Sequence, residues 1–591
     1  MINKLTPFVI LLLSLILVKC ANQSAPTGGE KDETPPRLVE SNPQQGETNF
    51  KGKQVILTFD ELVKTDNAKE QFLITPRIKG DYDIKYRKNK VIINFEEPLD
   101  DSTTYSINFR EGIKDLTEGN AADTLKLAFS TGSYLDSLSI SGKVTDILLN
   151  TKPKDLTIGL YLTSDTLTPF NSPPVYLTKT AADGTFMLSN LKSQQYKIYA
   201  FNDANKNLKL ESKNEKYGFI SESINLDSSL NEINIPITSL NVDSLELQSH
   251  RPSGTSYVLK YNKYITNYIL TSLNKRDTIY SNFSDNNHNA VNIYNNGVES
   301  SSIDFVIQTI DSIDNRLVDT LSITLDRSGR KPSAFKTNLD IPKIITSSPT
   351  FDATITFNKP ITNINYDSIY LYLDTANVVY FKPGELAWNT YLDEVQLKYS
   401  IDPKLFVTKD ESVSAQRQIL NDTLEKEGAL PNNTIEDNDS TELKPNGKTR
   451  PKPTVPRVPH LYLGQGAFVS VEGDSTEQQQ HDLSFIQPEE LGIILIEIET
   501  DYPHYFVQLL DQKNNVVETN VNGKNFSFTN ILPGEYRLRV LVDSNLNGTW
   551  EPGNILKNES PEPVYFYKST EGNDKLILRA NWELGPNVMK F

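Results

Sequence analysis

No long segment of this sequence carries the 3.6-residue apolar rhythm of an amphipathic helix. Apolar and polar residues alternate instead in short runs, as in Val55-Ile56-Leu57-Thr58-Phe59, Val91-Ile92-Ile93-Asn94-Phe95 and Tyr105-Ser106-Ile107-Asn108-Phe109. Alternation sends successive side chains to opposite faces of a pleated strand, so each run has one face to bury. Turn-forming clusters separate the runs at roughly 8–12 residues, the spacing of β-sandwiches. The 27 Tyr and 25 Phe against 3 Met point the same way, because aromatics suit a half-buried pleated surface. The expected fold class is all-β, built as serial sandwiches.

Composition removes several function classes. One Cys forbids an intrachain disulfide and a Cys-based zinc site. Five His (His250, His288, His460, His481, His504) show no ligand spacing and are expected at surfaces or turns. A net charge of −17 argues against a nucleic-acid partner, which calls for a basic face. There is no His-Glu-x-x-His, no Gly-x-Ser-x-Gly and no Walker loop. The expectation is a protein that is not an enzyme and needs no cofactor, apart from a structural calcium considered below.

The single Cys has an informative position. Lys4 precedes an apolar run, Phe8 to Val18, too short to span a bilayer comfortably and suited to a signal-peptide core. Leu17-Val18-Lys19-Cys20 then resembles a bacterial lipobox, with Lys19 where a small residue is usual. The resemblance implies a signal peptide over 1–19, diacylation of Cys20 and an outer-membrane lipid anchor, on the cell-surface or periplasmic face. The alternative is an uncleaved N-terminal anchor. Residues 20–33 read as a flexible tether. Lys31-Asp32-Glu33 resembles the surface-export signal of Bacteroidota lipoproteins, or is a solvated charge cluster.

Five modules follow. Residues 34–132 carry Thr34-Pro35-Pro36, Ser41-Asn42-Pro43, Val55 to Glu61, Ile74 with Pro76, Tyr105 to Phe109, Gly112-Ile113 with Asp115, and Phe129-Ser130-Thr131. With the tether Gly28-Gly29-Glu30-Lys31-Asp32, this resembles the SbsA-type bacterial Ig-like domain of Bacteroidota lipoproteins, whose members are non-catalytic and membrane-anchored. Residues 136–240 contain Gly184-Thr185-Phe186 and Tyr196-Lys197-Ile198, and resemble carboxypeptidase-regulatory or transthyretin-like sandwiches. Residues 486–591 repeat that module. Phe186, Asn190, Leu191 and Tyr196 match Phe526, Asn530, Ile531 and Tyr536 at a constant offset. Residues 245–333 read as an Ig-like sandwich. Residues 338–485 read as a second Ig-like domain, because Ala353 to Pro360 echoes Gln54 to Leu62. Residues 409–457 lose the strand pattern and are expected to be a disordered insertion inside it.

Two motifs carry possible chemistry. Asp543, Asn545, Asn547 and Glu551, and their copies Asp203, Asn205, Asn207 and Glu211, put side-chain oxygens at loop positions 1, 3, 5 and 9. That resembles half of an EF-hand calcium loop. The alternative is an Asx-turn in which Asp and Asn cap their own backbone. Asp followed by Ser or Thr recurs at Ser137, Thr166, Ser244, Thr278, Ser312, Thr320, Ser368 and Thr423. It resembles the O-glycosylation sequon of Bacteroidota envelope proteins, or simply opens exposed strands. Trp388, Trp550 and Trp582 could form a carbohydrate platform or sit in cores.

The sequence therefore leads to a lipid-anchored envelope protein that binds outer-membrane or envelope proteins through sandwich edges and grooves. Glycan binding is the alternative.

Overall fold

The computed structural model describes residues 32–122, 125–274, 278–294, 302–324, 331–406 and 458–591. Among the described residues strands make up 49% and helix 3%. The chain is a series of β-sandwich domains. Cys20, the signal peptide, most of the tether, Thr423 and the 409–457 segment lie outside the described residues. Two compact units emerge. The first holds the described residues up to Ile237, apart from two short loops, and the second holds Thr238–Phe591.

In the first unit, Leu38–Asn42, Gln54–Phe59, Lys90–Phe95 and Tyr82–Arg87 form one antiparallel sheet in that order. Leu73–Thr75, Thr104–Asn108 and Lys126–Ser130 form its partner. The pleat decides which side chains meet. Val55, Leu57, Val91 and Ile93 of one sheet pack with Tyr105, Ile107, Leu127 and Phe129 of the other. Complete burial of each such aliphatic or Phe side chain contributes about 1.5–3 kcal/mol.

The next module opens on Leu138–Asp146, which pairs antiparallel with Thr185–Leu191 and parallel with Leu230–Thr238. Thr157–Leu162 pairs with Tyr176–Lys179 and with Gln195–Phe201. Gln195–Phe201 also takes Tyr217–Phe219 and Ile224–Asn225. Gly142 lies where the parallel neighbour comes closest: a Cβ there would sit 2.0 Å from the Ile233 carbonyl oxygen.

The second unit closes on a module with the same pairing scheme. Gly492–Glu499 is antiparallel to Asn525–Ile531 and parallel to Glu583–Lys590. Tyr505–Leu510 pairs with Val516–Val521 and Gly534–Val542, which takes Val564–Phe566 and Leu576–Leu578. The likeness reaches single atoms. The Tyr196 hydroxyl donates to Lys192 O at 2.8 Å, and the Tyr536 hydroxyl donates to Leu532 O at 2.7 Å. Asn190 and Asn530 share a left-handed backbone, φ 58° and 60°.

Between them lie two sandwiches. Leu247–Ser253, Ser256–Tyr261, Ala290–Tyr294 and Tyr280–Phe283 form a sheet that partners Ile265–Ser272, Ser302–Asp311 and Arg316–Thr324. Thr337–Asp340, Thr350–Phe357, Glu394–Ser400 and Leu386–Trp388 then repeat the four-strand order of the first sheet. Leu397 and Leu461 flank residues 407–457 in sequence yet share one core.

Candidate functional site

Inside the first unit, a cleft of about 720 Å³ opens between its two sandwiches. Phe72, Ile74 and Ile78 line it from one side, and Pro173, Leu177 and Leu208 from the other. The two walls are tied together. The Arg77 amide donates to Val175 O at 2.8 Å, and its guanidinium donates to Ser172 Oγ at 2.9 Å. Lys206 Nζ pairs with Glu70 at 2.7 Å, and Arg110 pairs with Asp155. Lys179 stands apart. Its Nζ donates to Thr157 Oγ1 at 2.8 Å, and no carboxylate among the described residues pairs with it. Burial pushes its pKa down. The cleft offers charged groups of both signs over an apolar floor, which is equipment for binding.

Asp203, singled out from its loop spacing, lines this cleft together with Lys206 and Leu208. Its Oδ1 accepts the Leu208 amide at 3.1 Å. Asn205 and Asn207 turn their side-chain amides onto Glu211 at 2.8 and 3.0 Å. The second copy does the same with Glu551, at 2.9 and 2.8 Å. There Asp543, fully buried, accepts the Asn547 and Gly548 amides at 3.1 and 2.8 Å and faces His504 Nδ1 at 2.7 Å. Both loops therefore make the hydrogen bonds of an Asx-turn. Among the described residues no group of three or more His, Cys, Asp or Glu gathers in a metal-binding arrangement.

Each loop also has a buried carboxylate that sequence reasoning missed. Glu215 accepts the Ala204 and Glu211 amides at 2.9 and 2.8 Å. Glu562 accepts the Ser544 and Glu551 amides at 2.6 and 2.9 Å. Burial pushes the Glu215 pKa up. The common offset of the two copies breaks after Glu551, where an extra turn bridged by Asn554 and Glu559 lengthens the second loop. The pairing of Glu215 with Glu562 was hidden for that reason.

The Asp-Ser/Thr positions are largely open. Ser137, Thr166, Ser244, Thr278, Ser312 and Thr320 are exposed, and Ser368 is half-buried. The tryptophans share no platform. Trp388 packs on Phe357 and Phe468, Trp550 donates its ring N–H to Glu562 O at 3.0 Å, and Trp582 is half-exposed under Arg579. Of the histidines, His460 departs from the surface expectation. It is buried in a strand, with Nδ1 2.7 Å from Val458 O and its ring stacked on Tyr372.

One sheet edge is notable. Val516–Val521 pairs only with Tyr505–Leu510, and its outer side is bare among the described residues. Val516 and Val517 are each 46% exposed, and Val521 is 52% exposed. Natural edges normally carry charge, proline or a cover against unwanted pairing; here Glu518 is the one charge on the strand.

Residues 32–131 match the bacterial Ig-like domain family. The first module is such a domain. No curated protein sequence matches the chain. Solved structures with some similarity include the Bacillus anthracis TIE protein, at 9% identity over 95% of this chain and 75% of that one, TM-score 0.12. BcpA, the major pilin subunit of Bacillus cereus, has 10% identity over 77% of this chain and 98% of its own, TM-score 0.13. The Bacteroides ovatus mixed-linkage glucan utilization locus protein SGBP-B, solved with a mixed-linkage heptasaccharide, has 11% identity over 67% and 88%, TM-score 0.13. At scores this low the chains do not superpose as wholes. Among the described residues no helix is long and apolar enough to cross a membrane.

Proposed function

We propose that this is a non-catalytic, lipid-anchored envelope protein that presents β-sandwich surfaces to protein partners, as a structural or accessory subunit of an outer-membrane assembly. The observation that carries the reading is the bare edge Val516–Val521 with its three exposed valines. An extended segment of a partner gains main-chain hydrogen bonds along such an edge and side-chain contacts at alternate positions. The SbsA-type kinship, the Bacteroidota origin and the anchor at Cys20 belong to the same proposal, supported by the lipobox-like sequence before Cys20. Glycans on the exposed Asp-Ser/Thr sites are a separate proposal; at the two Asp-x-Asn-x-Asn loops the hydrogen bonds favour the Asx-turn over calcium.

The test is co-purification from membranes solubilised in several mild detergents, comparing the native chain with a Val517→Lys, Val521→Lys variant. Charges on an edge strand oppose strand addition. The expected result is an envelope partner that travels with the native chain and is lost from the variant. A clean monomer in every detergent contradicts the proposal. Fatty-acid labelling that disappears in Cys20→Ser tests the anchor independently.

A further inference from the structure

We infer that the second unit contains a saccharide-binding cleft between its first two sandwiches. The cleft measures about 610 Å³, inside the range of about 300–1,000 Å³ typical of small-ligand sites.

One wall is aromatic and rigidly held. The His288 ring lies between Phe283, at 4.0 Å and 6° between planes, and Tyr264, at 5.2 Å and 4°. Tyr391 meets Phe283 edge-on at 5.3 Å and stacks on Tyr268 at 4.9 Å. Its hydroxyl is fixed by Asn267 at 2.9 Å. Phe283, His288 and Tyr391 all line the cleft. The faces of His288 are taken by Phe283 and Tyr264, whereas Tyr391, held by Tyr268 and by its hydroxyl bond, loses little entropy when a ligand packs on it.

The opposing groups are polar and unspent. Lys336, Asn338 and Glu394 line the same cleft, and none has a side-chain partner among the described residues. Together they offer a cation, an amide and a carboxylate, and Asp285 and Asp393 also line the cleft, so its polar side is rich in acceptors and net acidic. A sugar ring combines one C–H face with a rim of hydroxyls that donate and accept. That shape matches an aromatic wall beside a mixed set of donors and acceptors in which carboxylate acceptors predominate. An anionic ligand would meet three carboxylates. This inference stands apart from the protein-partner reading, because it concerns different residues and a different ligand class.

The experiment is calorimetric titration of the full chain with a panel of neutral hexasaccharides: β-glucan, α-glucan, mannan and chitin types. At least one should bind at millimolar or lower concentration. Tyr391→Ala removes a stacking face and should weaken that sugar by about tenfold. Asn338→Ala, on an exposed strand position, should weaken it without moving the melting temperature. Absence of binding across the panel overturns the inference, as does binding that both variants leave unchanged. A site that takes an aromatic- or proline-bearing peptide and refuses every sugar overturns it in favour of a peptide groove.

Discussion

Lys263 Nζ lies 2.8 Å from Asp311 Oδ2, and both side chains are buried. Every remaining valence of the pair is used. Lys263 also donates to Asn241 O and Asp243 O, at 2.7 and 2.8 Å. Asp311 accepts the Ile313 and Asn315 amides, both at 2.9 Å. The next domain repeats the device. Lys359 follows Phe357-Asn358 as Lys263 follows Tyr261-Asn262. It pairs with Glu472 at 2.5 Å and also with Asp474. Burial works against the charge of Lys359, but the two carboxylates hold its pKa above the ordinary lysine value. Removing one member of such a pair strands a charge in the core. Lys263→Met is expected to cost about 3–5 kcal/mol, read as a lower urea midpoint for the second unit. A change below about 1 kcal/mol would show the pair to be an exposed surface contact in energetic terms.

Asp115 sets an acid limit on the first domain. Burial works against its charge, but the Gly119, Asn120 and Glu118 amides, at 2.9, 2.7 and 2.6 Å, hold its pKa below the ordinary carboxylate value. A group lowered in the folded state adds stability above its unfolded pKa of about 3.9 and loses it as pH falls toward the folded value. Asp115→Asn should therefore melt lower than the native chain at neutral pH. The gap should close progressively below about pH 4. A gap that stays constant into acid would refute the assignment.

The turn at Asp543 is held by its own amides and carboxylates. Glu562→Gln replaces a charged acceptor of three backbone amides, those of Ser544, Asn545 and Glu551, and should cost about 1–3 kcal/mol. Asn545 and Asn547 already occupy the oxygens of Glu551. The geometry therefore predicts that millimolar calcium leaves the melting temperature of the native chain unchanged. A calcium-dependent rise, abolished by Glu551→Gln, would establish the metal site instead.

Backbone proximity fixes Gly142. Its absent Cβ would fall on the Ile233 carbonyl, a main-chain atom that cannot rotate away. Gly142→Ala should force apart the parallel pair Leu138–Asp146 and Leu230–Thr238 and cost about 3 kcal/mol or more. Gly46→Ala is the contrast: no atom lies within 4 Å, and only its φ of +83° opposes the change. It should cost about 1–2 kcal/mol. Equal losses at the two sites would contradict the pairing.

What the sequence could disclose follows from range. Alternation in Gln54–Phe59 is a local consequence of the pleat, so its buried set of Val55, Leu57 and Phe59 was readable directly. The likeness of Phe186-to-Tyr196 and Phe526-to-Tyr536 was also local, because no insertion separates those strands in either copy. Glu215 and Glu562 escaped because one loop is longer. The Lys263 and Lys359 devices escaped because a two-residue echo, Asn-Lys after an aromatic, is too short to stand out. Neither cleft was visible at all. Each joins residues far apart in the chain, such as Phe72 with Leu177, or Phe283 with Asn338. Only the packing of whole sandwiches brings them together. For the tryptophans the sequence left a platform and a core position open, and two of them are committed to internal contacts.

The central claim is that the bare edge in the last module receives a partner strand. Site-specific photo-crosslinking from position 517 in intact cells tests it most directly. The account predicts one discrete adduct with an envelope protein, abolished by Val521→Lys and absent when the probe sits at Lys513 in the neighbouring turn. A probe at 517 that yields no protein adduct, or the same diffuse adducts as the probe at 513, would contradict it.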